Sequence, residues 1–187
     1  MQEFVYHIVQ KDIVGNKLVA LNSFKETNPA LYERYTKKYF DHPDRPKLLT
    51  KKVPKLNCLW NDVIHFLPLH PNYVYNALKS LDITIVEDMR FLKIPIEKLK
   101  GNNNAIYLYS KHKYIGPAED IDEDEMVMLN IGDYKELTKI PADTIEYYKV
   151  EQAKGNKFGM FPYIPHVLSH GEVEIEGLEI INWNQSE

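Results

Sequence analysis

Runs of β-forming residues are spread along the whole chain, but they do not alternate with helical segments in a regular way. The runs are four to six residues long and lie at 4–9, 17–21, 83–86, 90–94, 105–109, 165–168, 172–175 and 178–181. A doubly wound parallel sheet requires regular alternation, so this order argues against one. The pattern predicts an α+β fold with a central mixed or antiparallel sheet that contains both His7 and His166. No long linker divides the 187 residues, so we expect a single domain over 1–187.

Three segments carry the start signals of helices. Pro29, Pro71 and Pro141 each stand where a helix can begin, and Asn28 is a suitable cap for the first. The sequence predicts helices over 29–39, 71–80 and 143–154. Gly155 can end the third, because glycine readily takes the left-handed conformation at a helix C-terminus.

Composition limits the class of protein. Hydrophobic residues make up 44% of the chain and charged residues 27%, which excludes a wholly disordered chain. The longest stretch without a charged side chain is 63–78, and it holds two histidines and two prolines, so we expect no membrane span. The N-terminus lacks the basic and apolar regions of a signal peptide. Cys58 is the single cysteine, which excludes an internal disulfide and leads us to expect a cytoplasmic protein.

The net charge of −4 is unevenly distributed. Residues 34–55 contain eight basic and two acidic side chains, whereas 117–187 carry a net charge of −11. Tyr35, Tyr39 and Phe40 lie within this basic block, and rings among cations suit single-stranded nucleic acid or another phosphate-bearing ligand. A solvated surface has the same composition. The candidate nucleic-acid residues are Lys37, Lys38, Arg45, Lys47, Lys51 and Lys52.

Motifs with strong chemical signatures do not occur. The sequence has no Walker loop, G-x-G-x-x-G, H-E-x-x-H, C-x-x-C or G-x-S-x-G. Cys58 stands among apolar neighbours, which raise the pKa of a thiol and weaken it as a nucleophile. His166 and His170 have a spacing that binds zinc on a helix, but they fall in strand-like sequence, so we predict no metal site.

Residues 60–65 bring a large ring, an amide, a carboxylate and an imidazole close together. Trp60, Asn61, Asp62 and His65 are suited to acid–base chemistry or ligand binding. A hydrogen-bonded buried cluster uses the same groups.

Two further groups have both a ligand-binding and a core interpretation. Alternation on the first strand places His7 on one face with Val5 and Val9, and Tyr6 on the other. Such a histidine binds a ligand or is a hydrogen-bonded core residue. Tyr107 and Tyr109 are predicted to share a strand face, where they hold a flat ring or pack in the core.

Three segments, in order along the chain, resemble the DarT family of DNA-modifying ADP-ribosyltransferases. Residues 5–9 (VYHIV) and 12–15 (DIVG) resemble the family's opening tyrosine–histidine–isoleucine–threonine strand and the aspartate-containing helix after it. Residues 63–75 (VIHFLPLHPNYVY) are similar to the segment that runs through an arginine and a proline into a helix. Residues 165–173 (PHVLSHGEV) resemble the closing segment with the catalytic glutamate.

The resemblance implies an ADP-ribosyltransferase-like fold that uses NAD as a co-substrate. It implies nucleic acid as the acceptor, bound at the basic block. The catalytic positions that it implies are His7, His70 and His166. The candidate NAD-binding residues are Tyr6, His7, Trp60, Asn61, Asp62 and His65. We expect one cleft to be lined by His7, Trp60, Asn61, Asp62, His65, His70 and His166.

This sequence differs from the family at three positions. Val9 replaces the threonine, His70 the arginine and His166 the glutamate. Transfer of this type needs a carboxylate near the nicotinamide ribose, because an oxocarbenium-like centre develops as nicotinamide leaves. Glu172 or Glu174 would supply it in a different register.

Two main hypotheses follow, and a carboxylate near His7 would separate them. The first is an NAD-consuming ADP-ribosyltransferase. The second is a module of the same fold that binds a nucleotide or a partner without catalysis. A third is a metal-free hydrolase or nuclease that uses His65 and His70.

Overall fold

Short strands and four helices build the structure, a computed structural model that describes residues 2–9, 15–41, 43, 45–117 and 119–186. The strands in the described part are β1 (Phe4–Ile8), β2 (Lys17–Leu18), β3 (Lys52–Val53), β4 (Cys58–Leu59), β5 (Ile64–Phe66), β6 (Arg90–Pro95), β7 (Asn103–Tyr107), β8 (Met126–Met128), β9 (His166–His170), β10 (Val173–Glu174) and β11 (Glu179–Asn182). The α-helices there are α1 (Phe24–Thr27), α2 (Pro29–Thr36), α3 (Pro71–Ser80) and α4 (Ala142–Lys154).

Two antiparallel sheets form the centre of this single α+β domain. One has the strand order β1-β6-β11 and the other the order β5-β9-β7-β8, and β2–β10 and β3–β4 are small antiparallel pairs. The expected α+β class with antiparallel sheets is confirmed. The expectation that His7 and His166 share one sheet is wrong, because His7 lies on β1 and His166 on β9.

One isolated backbone bridge joins the two sheets in the described part of the chain. The backbone N–H of Tyr6 donates to the carbonyl of Leu67 at 2.9 Å, and the N–H of Leu67 donates back at 2.8 Å. Beyond this pair the ladder stops, and the His7 imidazole Nδ1 bonds to the backbone carbonyl of His65 at 2.9 Å. The sheets therefore separate on the side of His7.

Helices α2, α3 and α4 lie where the sequence predicts, to within three residues at each end, whereas α1 was not predicted. Asn28 caps α2 by accepting from the N–H of Leu31, and a 3-10 turn continues that helix over Lys37–Tyr39. Gly155 ends α4 in the left-handed conformation, with φ of 70°. These local signals suffice because caps and proline act within one helical turn.

Side chains of β1 alternate between two apolar cores. Val5 packs in one core with Phe66 and Ile94, and Tyr6 packs in the other with Trp183. A third core covers the opposite face of the four-stranded sheet, around Val63, Ala105, Tyr107, Met126 and Leu168.

The predicted strand at 83–86 and the predicted end of the strand at 105–109 are wrong. Residues 83–86 are extended but pair with no strand in the described part of the chain. Strand β7 ends at Tyr107, and Tyr109 has a φ of 54°, so the two tyrosines do not share a strand face. In the described ranges no helix has the length and apolar character to cross a lipid bilayer.

Candidate functional site

A cleft of about 740 Å³ opens over the four-stranded sheet at the edge nearest His7. The ladder explains why three of its residues meet there. His166 on β9 lies directly opposite Tyr107 on β7, and His65 on β5 lies opposite Leu168, two residues along β9 from His166. Opposite residues and alternate residues share a sheet face, so these three side chains point to the same side.

The segment between α2 and β5 forms the facing wall. It contributes Lys38 and Tyr39 from the 3-10 turn after α2, Lys51, and then Trp60 and Asn61 from a second 3-10 turn over Trp60–Asp62. A hydrogen bond within this segment stabilises the wall: the N–H of Trp60 donates to the carbonyl of Lys51 at 2.8 Å.

Backbone carbonyls fix the protonation of three imidazoles in the cleft. His7 bonds through Nδ1 to the His65 carbonyl, His65 through Nε2 to the Trp60 carbonyl at 3.0 Å, and His166 through Nδ1 to the Ile164 carbonyl at 2.7 Å. A carbonyl only accepts, so each of these nitrogens carries the proton in the neutral ring. The second nitrogen of each ring has no partner among the described residues and is an acceptor.

Burial keeps these imidazoles neutral. It lowers the pKa of His7, that of His65 to about 3 and that of His166 to about 4. His166 and His7 also lower the pKa of His65 by charge repulsion. Neutral rings supply hydrogen-bond acceptors to a ligand, but no positive charge at pH 7.

Positive charge in the cleft comes from lysines. The Lys51 side chain is only 5% exposed, its Nζ donates to the carbonyl of Pro117 at 3.0 Å, and it lies 5.2 Å from the centre of the Trp60 ring. Burial lowers the pKa of Lys51, against the attraction of Asp120 and Glu119. Lys17 and Lys38 also line the cleft. None of the described residues that line it is an aspartate or a glutamate.

One buried amide in the wall has an unused donor. Asn61 is 4% exposed, and its Oδ1 accepts a hydrogen bond from the Tyr39 hydroxyl at 3.0 Å. Its Nδ2 is shielded from water and has no hydrogen-bond partner in the described part of the chain. Buried donors are nearly always satisfied in proteins, so this unpaired donor marks Asn61 as a candidate ligand-binding residue.

Aromatic rings occupy the end of the cleft near β7. Tyr107 and Tyr109 stack at 5.0 Å with 16° between their planes, Tyr109 lies 5.9 Å from His166, and Trp60 lies 4.3 Å from His65. Burial raises the pKa of both tyrosines, so they are neutral phenols. The two rings contact each other and do not leave a gap for a ligand between them.

The structure brings together five of the seven polar residues expected to share a cleft. The five that line it are His7, Trp60, Asn61, His65 and His166.

Three predicted site residues lie elsewhere. The Tyr6 hydroxyl donates to Glu136 at 2.7 Å on the other face of β1, and the His70 ring packs against Tyr6 with 5.2 Å between ring centres. Asp62 accepts from the N–H of Leu59 at 2.7 Å and from the Asn22 amide. The prediction that His70 and Asp62 lie around the cleft is therefore wrong, and Tyr6 does not line it either.

The basic block divides in the same way. Lys38 and Lys51 line the cleft, whereas the other four predicted nucleic-acid residues are exposed outside it. Those four are Lys37, Arg45, Lys47 and Lys52. Arg45 donates to the backbone carbonyl of Lys38 at 3.2 Å, which ties the exposed part to the cleft wall.

The two alternative carboxylates are engaged at the surface. Glu172 and Glu174 pair with Lys17 at 2.9 and 3.2 Å, and neither lines the cleft. Asp12, which belongs to the first resembling segment, lies outside the described residues.

Cys58 lies outside the cleft. Burial and the nearby Asp62 raise the pKa of its thiol to about 11, which confirms the prediction of a poor nucleophile. Over the described ranges, no three histidine, cysteine, aspartate or glutamate side chains gather to hold a metal ion.

The cleft is also lined by Tyr39 and Lys17, which the sequence patterns did not indicate as site residues. Tyr39 is an aromatic residue within the basic block, which is a feature of ligand-binding surfaces. Its hydrogen bond to Asn61, however, joins residues 22 positions apart, and the sequence does not show that contact. Lys17 has no such feature.

Comparisons of the chain with protein-family models, with curated proteins and with solved structures found no match. The DarT resemblance therefore stays a prediction, and the functional argument depends on the cleft itself.

Proposed function

We propose that the cleft binds a nucleotide, NAD or a related compound, and that the chain does not transfer ADP-ribose. The observation that carries the proposal is the composition of the described lining, which combines three lysines with tyrosine and tryptophan rings and has no carboxylate. Lysines attract phosphates, and aromatic rings offer a surface on which a base can stack. The volume of about 740 Å³ is in the range of ligand pockets.

The cleft fits binding of NAD better than its cleavage. Lys38 and Lys51 would hold phosphates, and the imidazoles of His7 and His166 would accept from hydroxyl or amide groups of the ligand. Cleavage would need a negative charge beside the ribose. At the position where the resemblance implies it, the chain has the neutral ring of His166.

A nucleic acid is the partner that we propose for the exposed part of the basic block. Phe40 is 66% exposed beside the exposed Lys37, and an apolar ring without cover among cations suits an unpaired base. This surface adjoins the cleft wall through the contact of Arg45 with Lys38.

Tryptophan fluorescence can test nucleotide binding, because the two tryptophans differ in position. Trp60 lines the cleft, whereas Trp183 is fully buried in the core around Tyr6 and donates to the carbonyl of Val86. We expect NAD and AMP to change the fluorescence saturably, and Trp60→Phe to remove that change while calorimetry still detects binding. Absence of binding heat with both ligands would refute the proposal.

Product analysis separates binding from transfer. NAD incubated with the protein and nucleic acid should be recovered intact by chromatography. Release of nicotinamide above a protein-free control would instead support the transferase hypothesis.

A further inference from the structure

We infer that Lys38, Lys51 and Asn61 form an anion subsite that takes the phosphate group of the ligand, with Tyr39 positioning Asn61. The inference rests on the proposed function, because it assigns one part of the nucleotide to one part of the cleft.

The three groups lie along one continuous chain of contacts. Lys38 Nζ is 5.5 Å from the centre of the Tyr39 ring, and the Tyr39 hydroxyl donates to Asn61 at 3.0 Å. Asn61 follows Trp60 directly, and Lys51 Nζ lies over the Trp60 ring. Two cationic groups and one amide donor are therefore placed on the same wall.

Lys51 has unused capacity for an anion. Its ammonium carries three N–H donors, and the structure gives it one acceptor, the Pro117 carbonyl. No described carboxylate lies within ion-pair distance of it. Asp120 and Glu119 attract this ammonium only from beyond that distance. An ammonium that is largely removed from water and has no carboxylate in direct contact is stabilised by an anion that enters beside it.

Asn61 adds a neutral donor to the same wall. Its Nδ2 has no partner among the described residues and is shielded from water, so a ligand oxygen that meets it after a small rotation of the amide towards the cleft gains a hydrogen bond. The Tyr39 hydroxyl holds Oδ1 and thereby orients the amide. A phosphate suits this set, because it offers several oxygens and up to two negative charges to two ammonium groups and an amide.

The experiment compares AMP with adenosine, which differ only in the phosphate. We measure the affinity of each by calorimetry for the wild type, Asn61→Asp, Lys38→Ala and Tyr39→Phe. Lys47→Ala is the matched control, because Lys47 is an exposed lysine of the same block outside the cleft. Lys38 is exposed, so its variant should fold even if Asn61→Asp does not.

The proposed subsite predicts that its variants lose affinity for AMP but not for adenosine. Affinity for AMP should fall about tenfold or more in Asn61→Asp and Lys38→Ala, since each loses a bond to a charged group. Tyr39→Phe should lower it by a smaller factor. Affinity for adenosine should change by less than about twofold, and Lys47→Ala should leave both ligands unaffected, as a screened surface charge does.

The outcomes separate the two proposals. If AMP binds the wild type and Lys38→Ala loses AMP and adenosine affinity equally, or neither, the subsite is refuted while nucleotide binding stands. If the wild type binds neither AMP nor NAD, the proposed function fails. Inorganic pyrophosphate then decides the subsite: saturable binding that Lys38→Ala weakens supports it, and absence of binding refutes it.

Discussion

Three neutral imidazoles make the stability of this chain sensitive to acid. Burial lowers the pKa of His7, that of His65 to about 3 and that of His166 to about 4, whereas unfolded histidine has a pKa of about 6.5. Below pH 6.5 the unfolded chain therefore binds protons that the folded chain does not. The stabilising contribution is complete above this pH and is lost as the pH falls towards the folded values.

Urea unfolding between pH 7.5 and 5 measures this dependence, above the range in which most carboxylates titrate. Each histidine should contribute a slope of up to about 1.4 kcal/mol per pH unit. His166→Gln should reduce the proton uptake on unfolding by about one. His112→Gln is the control, because His112 is exposed, and an unchanged slope in His166→Gln would contradict the assignment.

The same pKa values predict how ligand binding depends on pH. Lysines carry the charge in the cleft, and the imidazoles of His65 and His166 stay neutral down to about pH 5. AMP affinity should therefore stay nearly constant from pH 7.5 to 6.5, and below that it should follow only the second ionisation of the phosphate. Calorimetry with a phosphonate or sulfate analogue of different ionisation distinguishes the ligand from the protein. If the affinity for a fully ionised sulfate ligand fell as the pH rose, with a midpoint near 6.5, a charged histidine would be involved.

The sequence alone predicts that Tyr6 and His7 have different surroundings. Strand alternation places the two side chains on opposite faces of β1, and the structure confirms this by packing Tyr6 against His70 and His7 beside the cleft. The assignment of Tyr6 and His70 to the cleft came from the family resemblance, which has no information about the face.

His70 belongs to helix α3, where it acts as the N-terminal cap. Its Nδ1 accepts from the backbone N–H of Asn72 at 3.3 Å, and Pro71 occupies the first helical position. His70→Ala should lower the free energy of unfolding by about 0.5–2 kcal/mol, and His70→Asn should retain much of it, because asparagine is a good cap. Thermal or urea unfolding measures this. AMP affinity should not change, and a tenfold loss would return His70 to the ligand site.

The incorrect prediction of a strand at 83–86 shows which property a short apolar pattern predicts. Ile83 and Ile85 pack into the core around Tyr148, while Val86 is 65% exposed and its carbonyl accepts from Trp183 Nε1. Alternate residues are thus partly buried as in a strand, but no strand among the described residues pairs with them. Apolar alternation indicates burial on one side, and strand pairing depends on distant segments that one sequence does not show.

The cleft exists because distant segments meet, and this part was the hardest to predict. Helix signals are local and were correct, and the antiparallel α+β class followed from the order of elements. The Tyr6–Leu67 bridge joins the two sheets, and the contacts of Lys51 with Pro117 and of Trp60 with Tyr107 hold the wall in place. All three contacts join segments that lie far apart in the sequence. Composition indicated a phosphate ligand, but it did not distinguish Lys51 in the cleft from Lys52 outside it.

Charge on the whole molecule leads to a last prediction, about nucleic acid. Lys37, Arg45, Lys47 and Lys52 are exposed outside the cleft, and Phe40 is exposed among them. A single-stranded oligonucleotide should bind this surface at low salt, and log affinity should fall with log salt by about 0.7 per phosphate contacted. Fluorescence anisotropy with a labelled oligothymidine, at 25 to 200 mM salt, measures the slope.

Reversal of those four charges provides the control for this surface. The fourfold glutamate variant should lose oligonucleotide binding, since it replaces attraction of the phosphates by repulsion. Its thermal midpoint should move little, because exposed substitutions away from packed contacts cost about 0.5 kcal/mol or less each. AMP should still bind in the cleft through Lys38 and Lys51. If the oligonucleotide does not bind the wild type at 25 mM salt, the exposed block is only a solvated surface. If the fourfold variant loses AMP binding together with oligonucleotide binding, the two ligands share one site.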